Sequence, residues 1–598
     1  MTGVQRTEIP EVEARNELWQ PEWTMGTQRR SDSRPHAISR RALLLSAPTA
    51  LLGFTAWRGW AADAASAKPE RSPFVEPPAD LLACVHPHVR YTRTALPDNQ
   101  NAFPLLLEAK ESYPAFAEIV NHAPSLEEER QADMPLTGVY DRVEQGGRFA
   151  AGQSGEQMRQ WVAGRRRIWE LTDRAIERGK CQFPEDIWQW YARRENAKSK
   201  RVRWTSWLGT GSFSETISQL RLIRARMLLA DGDRKGAVAE ICQVLRLGKL
   251  VAEADGLAAD CAAGHCLQIS ALRHIQTIAR HQLLDDSWLV KLLAELPGYW
   301  PSLESLRRVY QVEFCYRVLP DLSHYPAAPL DALVDVLLTR RIGIPESAAA
   351  REAHKVDKNA FDMVRRGLLT ILRGHSAPLD KADTVRVWSR LLAAQMADLD
   401  KPYFRRQRDL GKGVRNEVAP WPQCLDVRKI ALSVFNFESL KPAKATDTEL
   451  AAARQALAKV SNPLGKHLAI VDIDVNSLRK SLEELRAWYT ATKTVLAVCR
   501  FRSKYGWLPQ SLDALEQEKL LDSVPLDPFS GQPLRYSRER GLLWSVGVDE
   551  KNGDGDWDFD AEYPYGNDLV WKLPLARKST RPRRRPWKRR RHKADGGR

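Results

Sequence analysis

The most constraining feature of this sequence is a cluster of carboxylate and amide side chains near its C-terminus. Six of them fall within twelve positions: Asp549, Asn552, Asp554, Asp556, Asp558 and Asp560, with Gly553 and Gly555 between them. Negative charges this close repel one another unless each is fully solvated or they share a cation. This cluster lies inside Val524–Trp571, where short apolar stretches alternate with turn residues. That pattern predicts a compact β module that carries an acidic loop.

The length of the chain argues against a single hydrophobic core. A chain of 598 residues is long enough for two to four domains, and 43% hydrophobic residues give it enough apolar surface to fold. The eight cysteines contain no CxxC pair, and their spacing predicts no disulfide framework. Cys261 and His265 share a helix face, but Cys266 turns away from it, so we predict that this group binds no metal.

The basic character of the protein is concentrated in its C-terminal tail. The formal net charge is +16, yet the 22 residues from Arg577 onward hold 12 Lys or Arg and a single acid. Prolines and the lack of an apolar period predict disorder there. The tail residues expected to bind a polyanion are Arg583, Arg584, Arg585, Lys588, Arg589, Arg590 and Arg591. Anionic lipid or an acidic polymer is the favoured partner, and nucleic acid is the less favoured one.

An export signal is predicted near the N-terminus. Arg40 and Arg41 precede an apolar run that reaches Trp57, and small residues follow it. This arrangement resembles a twin-arginine signal peptide, which implies export to the periplasm or cell envelope. The alternative is an uncleaved membrane anchor, although the run is short for crossing a bilayer.

The clearest helical signal lies in residues 151–435. There, Thr216–Leu250 predicts a helix that ends at Ala230, a turn at residues 231–233 and a second helix from Arg234. The pair resembles a tetratricopeptide repeat, whose packing positions are matched by Ala225, Leu228, Ala237, Ile241 and Val244. Three copies at the repeat period are not recognisable. We therefore predict antiparallel helical hairpins and leave a regular repeat open.

The C-terminal region resembles a known family. Leu478–Tyr505 predicts one long helix closed by Gly506, and a short helix capped by Ser511 should follow. The whole region resembles the C-terminal half of type II secretion pseudopilins. The matching residues are Tyr505, Gly506, Leu508, Pro509, Leu512 to Leu515, Asp527, Pro528, Phe529, Gly531, Pro533, Tyr536, Ser545, Val546, Gly547, Asp549 and Asp568.

The resemblance implies a metal site. The major pseudopilin carries a calcium-binding loop in this β region, so the implied ligands are Asp549, Asn552, Asp554, Asp556, Asp558, Asp560 and Asp568. Calcium takes six to eight oxygen ligands, which suits clustered Asp and Asn. The run is not an EF-hand, because Phe559 stands where that loop requires Gly. The alternative to calcium is a solvated acidic turn.

Composition and pattern divide the chain into seven segments. They are a disordered leader (1–38), a signal peptide or membrane anchor (39–67), a Pro-rich wrap or linker (68–150), a helical domain (151–435), a linker with a short helix (436–477), the pseudopilin-like module (478–573) and the basic tail (574–598). The predicted fold is mainly α, with antiparallel helical hairpins, a C-terminal α+β module and disordered termini.

Binding is the function that these patterns favour. The sequence contains no HExxH, GxSxG, P-loop or dinucleotide-binding motif. We therefore expect an exported scaffold that contacts envelope proteins through its helical body. The alternative is an exported hydrolase whose active site has no recognisable motif.

Overall fold

The computed structural model describes residues 78–92, 94–112, 163–183, 213–323, 325, 330–336, 338, 358–422, 445–471, 475–555 and 568–574. Over these ranges the protein is mainly helical and has one small antiparallel sheet. This confirms the predicted balance of helix and strand. Arg40, Arg41 and the basic tail residues lie outside the described ranges.

The helices begin early in the described chain and continue almost to its end. They are α1 (Ala79–Ala83), α2 (Phe103–Glu111), α3 (Arg166–Arg178), α4 (Phe213–Ala230), α5 (Arg234–Ala252), α6 (Ala258–Arg280), α7 (Asp286–Glu295), α8 (Leu303–Glu313), α9 (Leu319–Ser323), α10 (Leu330–Val336), α11 (Lys358–Leu372), α12 (Lys381–Ala397), α13 (Lys412–Glu417), α14 (Asp447–Leu457), α15 (Pro463–Val471), α16 (Val475–Tyr505) and α17 (Asp513–Gln517). Short 3₁₀ turns span Pro87–Val89, Leu296–Tyr299, Asp398–Asp400 and Tyr403–Arg405, and a π turn spans Phe314–Val318.

The predicted hairpin in the middle of the chain is present. Helix α4 ends at Ala230 and α5 begins at Arg234, as the turn residues indicate. Gly232 has a φ of 83°, a left-handed conformation that glycine adopts without steric cost. The Asp233 carboxylate accepts a hydrogen bond of 2.8 Å from the Gly236 N–H and so caps α5.

Helices α5 and α6 pack with their backbones in close contact. A Cβ atom built on Gly264 would lie 2.4 Å from the Ala252 nitrogen and 2.5 Å from the Gly248 carbonyl oxygen. Only hydrogen fits at that position. The Gln268 amide spans the same contact, donating to the Leu245 carbonyl at 3.2 Å and to the Tyr299 carbonyl at 2.7 Å. This pair of glycines sets the distance between the two helices.

Helix α16 connects two hydrophobic cores. Its 31 residues rise roughly 46 Å. Leu478 and Leu482 belong to a core built mainly by α8 to α15, whereas Leu485 and the buried residues after it belong to a second core. The helix ends at Tyr505, and Gly506, with a φ of 83°, follows it. Both features agree with the sequence prediction.

Helix α16 runs parallel to α6 and completes the second core. Corresponding contacts advance together along both helices: His265 meets Ser481 at 3.0 Å, and Gln276 meets Thr492 at 2.8 Å. The core also takes in residues of α4, α5, α7, the segment at Tyr403 and the sheet. The helical body and the C-terminal module therefore share one apolar interior.

The described part of the interval 436–477 contains two helices, α14 and α15, whose apolar residues join the first core. The short helix after α16 begins at Asp513, and its N-cap position is Leu512, which has no side-chain cap. The prediction of Ser511 as the cap is wrong, because the chain enters the helix one residue later.

The sheet has three antiparallel strands in the order β1 (Arg535–Ser537), β2 (Leu542–Ser545) and β3 (Leu569–Lys572). Leu543 pairs with Trp571, and both contribute to the second core. Trp544 pairs with Val570, and together with Leu542 they form a small cluster on the other face. Because side chains alternate between the two faces along β2 and β3, one face of the sheet packs against the helices and the other lies beneath the acidic loop.

None of the described helices is both long and apolar enough to span a membrane. The apolar run before Trp57 falls in the undescribed N-terminal part of the chain.

Candidate functional site

The acidic loop connects β2 to β3. Its described part covers residues 546–555 and Asp568, which directly precedes β3. Asp556, Asp558 and Asp560 lie outside the described residues. The sheet places Asp568 beside the glycines that follow Asn552, because β2 and β3 are neighbours.

Asp568 is the buried anchor of the loop. Its Oδ2 accepts hydrogen bonds from the backbone N–H groups of Gly553 at 3.0 Å and Gly555 at 2.9 Å. Burial raises the pKa of this carboxyl, and the nearby charges of Asp549 and Asp554 raise it further, while the two glycine N–H groups oppose the shift. A buried carboxylate surrounded by like charges gains stability from any cation that joins the loop.

Asn552 orders the centre of the loop. Its Oδ1 accepts a hydrogen bond from the Trp544 indole at 3.1 Å and another from the Asp554 N–H at 3.1 Å. Its Nδ2 donates to the Asp554 carboxylate at 2.7 Å. Asp554 has a φ of 59°, an unusual value that Asp tolerates better than most residues. The side chain of Trp544 is therefore a direct reporter on the conformation of the loop.

Arg540 closes one side of the loop without neutralising its carboxylates. The guanidinium donates to the carbonyl oxygens of Asp554 at 2.5 Å and Gly555 at 3.0 Å. It also lies 5.9 Å from the centre of the Trp544 ring. These contacts hold the backbone in place. In the part of the loop that the structure describes, neither Asp554 nor Asp568 forms an ion pair with a basic side chain.

Glu550 attaches the loop to the helical body. Its carboxylate accepts from the Arg406 guanidinium at 3.0 Å and also pairs with Arg408. Arg406 stacks 3.4 Å from the centre of the Tyr403 ring, and Tyr403 packs edge-on against Phe529. The backbone of Glu550 has a φ of 60°. A change in the conformation of the loop can therefore be transmitted through Glu550 to the segment 403–408.

Asp527 holds the turn beneath the loop. Its Oδ1 accepts from the Phe529 N–H at 3.0 Å and from the Ser545 hydroxyl at 2.8 Å. Its Oδ2 accepts from the Val546 N–H at 3.0 Å and the Ser530 hydroxyl at 3.2 Å. The side chain is almost fully buried, with 1% of its surface exposed. It thereby fixes the end of β2, from which the acidic loop departs.

Four of the seven predicted ligands, Asp549, Asn552, Asp554 and Asp568, lie in the described part of the loop. Asn552 and Asp554 are hydrogen bonded, and the pKa of Asp568, which burial raises, is raised further by the charges of Asp549 and Asp554. Within the described ranges, no three side chains of His, Cys, Asp or Glu converge as a group that could hold a metal ion. A complete ligand set would have to draw on the carboxylates at 556, 558 and 560.

Sequence reasoning missed the residues that position the loop. Arg540 lies only two residues before β2, and its contact to the backbone of residues 554–555 depends on how the loop folds back. Glu550 stands within the acidic run, but its partners, Arg406 and Arg408, are more than 140 residues away in the chain. No local pattern marks such a pairing. The resemblance itself was the signal for Asp527, since this residue belongs to the matching set.

The chain matches no protein-family model, no curated protein and no solved structure.

Proposed function

We propose that this protein is an exported or envelope-associated scaffold whose pseudopilin-like C-terminal module binds calcium through the acidic loop. A single observation carries the calcium proposal. Asp568 is buried beside Asp549 and Asp554; burial raises its pKa most, and these negative charges raise it further. Calcium suits a site of this kind because it binds several carboxylate and amide oxygens at once.

The described residues can supply part of a calcium shell. The carboxylates of Asp549, Asp554 and Asp568 and the Asn552 amide oxygen have the right chemistry, and Asp556, Asp558 and Asp560 would complete the set. The backbone carbonyl oxygens of Asp554 and Gly555 already accept hydrogen bonds from the Arg540 guanidinium. Bound calcium would neutralise the loop and fix the path from β2 to β3.

The scaffold proposal is supported by the way the helices pack. Helices α4, α5 and α6 form successive antiparallel hairpins, and α16 joins their core, the second core, to the first. Such continuous packing gives a rigid body whose outer faces can bind envelope proteins. The tail from Arg583 to Arg591 would add contacts to anionic lipid or an acidic polymer, which fits a place at a membrane or wall surface.

The calcium proposal predicts stabilisation of the full-length protein by calcium. At about 100-fold excess over the dissociation constant, calcium should raise the free energy of unfolding by about 2.7 kcal/mol. Extracellular sites of moderate affinity have dissociation constants on the order of 10⁻⁴ M. The measurement is thermal unfolding with calcium and with chelator. Trp fluorescence should change in parallel, because the Trp544 indole donates to Asn552.

Matched variants identify the site of the calcium effect. Asp554→Ala and Asp568→Asn should abolish the stabilisation. Asp522→Asn, an exposed carboxylate earlier in the same module, should keep it. Identical unfolding of the unmodified protein with calcium and with chelator would mean that the loop is a solvated turn.

The export proposal predicts that Arg40→Lys combined with Arg41→Lys holds the protein in the cytoplasm. The twin-arginine pathway reads the paired guanidinium groups, which lysine does not reproduce. Cell fractionation measures the outcome. The leader offers its own control, because Arg29 and Arg30 form a second arginine pair with no apolar run directly after it. Replacing that pair by lysine should leave export intact, and unchanged export of the first variant contradicts the twin-arginine assignment.

A further inference from the structure

Two histidines lie inside the helical body, and both belong to α6. Only 1% of the surface of His265 and 4% of that of His274 are exposed. Nine residues separate them, about two and a half helical turns, so the two rings face opposite sides of α6. His265 meets α16 on one side, and His274 meets α4 on the other. A charge on either ring would be enclosed by protein, which is costly unless it is paired.

The contacts of His274 fix its ring in the neutral form. Its Nδ1 lies 2.9 Å from the carbonyl oxygen of Ser270, and its Nε2 lies 3.2 Å from a guanidinium nitrogen of Arg226 on α4. A carbonyl oxygen can only accept and a guanidinium can only donate, so Nδ1 carries the proton and Nε2 accepts. Protonation of Nε2 would remove this acceptor and place a second positive charge beside the guanidinium.

The contacts of His265 also suit a neutral ring. Its Nδ1 lies 3.0 Å from the hydroxyl of Ser481 on α16, and its Nε2 lies 3.7 Å from the Cys261 sulfur. Cys261 is buried, and burial raises the pKa of its thiol, which therefore stays uncharged. Neither partner brings a negative charge that would favour a protonated ring. The hydrogen bond between His265 and Ser481 joins α6 to α16 only while the surroundings of the ring remain uncharged.

The charges around the two rings do not favour protonation. Those acting on His274 are Arg226 of α4 and Arg273 of α6, and both are positive. The other described carboxylates around α6 have partners of their own. They are Glu240 of α5 (paired with Arg221 and Arg224), Glu253 after α5 (accepting from the Ser302 N–H), Asp260 of α6 (accepting from the Leu257 N–H), Glu304 and Glu313 of α8 (paired with Arg307 and Arg317) and Glu483 of α16 (paired with Arg479). Glu215 of α4 lies about three turns before Arg226.

Burial makes both histidines resist protonation in the folded protein. It lowers the pKa of His265 to about 4. It also lowers the pKa of His274 to about 3, and Arg226 lowers it further, although the hydrogen bond to Ser270 opposes the shift. In the unfolded chain both rings titrate near pH 6.5. The stability that depends on the neutral rings is therefore complete above pH 6.5 and is lost as the pH falls toward the two folded-state values.

We propose that α6 is an acid-sensitive joint, and that protonation of His265 and His274 separates it from α16 and α4 before the first core opens. Protonation of His274 breaks the contact with α4, and protonation of His265 breaks the contact with α16. Helix α16 leads directly into the C-terminal module, and both belong to the second core. Acidification therefore loosens the attachment of this module to the helical body.

Chemical denaturation of the full-length protein at pH 7.5 and pH 5.0, with chelator present, tests the joint. His265→Gln and His274→Gln keep a donor and an acceptor but take up no proton in this range. Acidification should weaken the folding equilibrium of each variant by about 30-fold less than that of the unmodified protein, because a histidine that is neutral only when folded costs about tenfold per pH unit below 6.5. The effects of the two substitutions should multiply, since their rings contact different helices.

The comparison with the unmodified protein at each pH is essential. Glu484 of α16 titrates in the opposite sense: burial raises its pKa to about 7, so it adds stability as the pH falls and partly offsets the histidines. This contribution is common to all the variants and cancels in the comparison. His88→Gln is the matched control, because His88 is exposed, and it should respond to acid as the unmodified protein does.

Hydrogen exchange of the unmodified protein locates the opening and needs no variant to fold. Between pH 7.5 and pH 5.0, and after correction for the intrinsic exchange rate, the amides of α6 should lose more protection than those of α11, which belongs to the first core. Equal losses in α6 and α11 overturn the proposal. So does an acid response of His265→Gln and His274→Gln that equals that of the unmodified protein, or one that His88→Gln reduces to the same extent.

Discussion

Asp527→Ala is expected to lower the free energy of unfolding of the protein by about 3–6 kcal/mol, because it leaves several buried donors without a partner. The Phe529 and Val546 N–H groups and the Ser545 hydroxyl all donate to this carboxylate. Water cannot replace it easily, since the side chain is buried. A loss of this size is a large part of the stability of a typical domain.

Chemical denaturation followed by Trp fluorescence measures the effect of Asp527→Ala. Asp527→Asn keeps an acceptor for Phe529 and Ser545 but turns an amide N–H₂ toward the Val546 N–H, so we expect an intermediate loss. Asp522→Ala is the matched control, because Asp522 is exposed and lies five residues earlier. A denaturation midpoint for Asp527→Ala equal to that of Asp522→Ala would contradict a structural role for Asp527.

Gly264→Ala is expected to destabilise the protein by about 3 kcal/mol or more, near the upper end of the cost of overpacking. The added methyl group would lie 2.4 Å from the Ala252 nitrogen and 2.5 Å from the Gly248 oxygen. Both are backbone atoms, so no side-chain rotation relieves the clash, and α5 and α6 must move apart. The higher helix propensity of alanine returns only about 1 kcal/mol.

The control for this prediction is another glycine inside a helix. Gly413 lies in α13, and a Cβ atom there would meet nothing within 4 Å. Gly413→Ala should therefore be neutral or stabilise the protein by up to about 1 kcal/mol. The two variants are compared by thermal unfolding. Equal melting temperatures for Gly264→Ala and the unmodified protein would show that the helices are not held at this distance by glycine.

Local features of the sequence predicted the local features of the fold. The turn Asp231–Asp233 placed the ends of α4 and α5 correctly, since its residues favour turns and caps in any context. Gly506 likewise placed the end of α16. Ser511 failed as a cap because a serine signals a helix start only to within a residue or two.

Contacts between distant residues were beyond the reach of sequence patterns. Considered alone, Gly248 and Gly264 each lower the helix propensity of the segment that contains them. Only the contact between α5 and α6 shows why glycine is required at these positions. The parallel pairing of α6 with α16 joins residues 216 positions apart. The same distinction between local and distant contacts applies to the candidate site. Acidic residues mark the loop, whereas the contacts of Glu550 and Arg540 depend on the tertiary fold.

The interior shared by the helical body and the C-terminal module has a consequence for biosynthesis. The second core begins at Leu222 in α4 and is not complete until Trp571 and Leu573 have been added. At about 5–20 residues per second, translation of the intervening chain takes roughly 20–70 seconds. For most of that interval the apolar faces of α4, α5 and α6 lack α16, which is not complete until Tyr505. The nascent protein must therefore be shielded by a chaperone or remain partly unfolded on the ribosome until its last strand emerges.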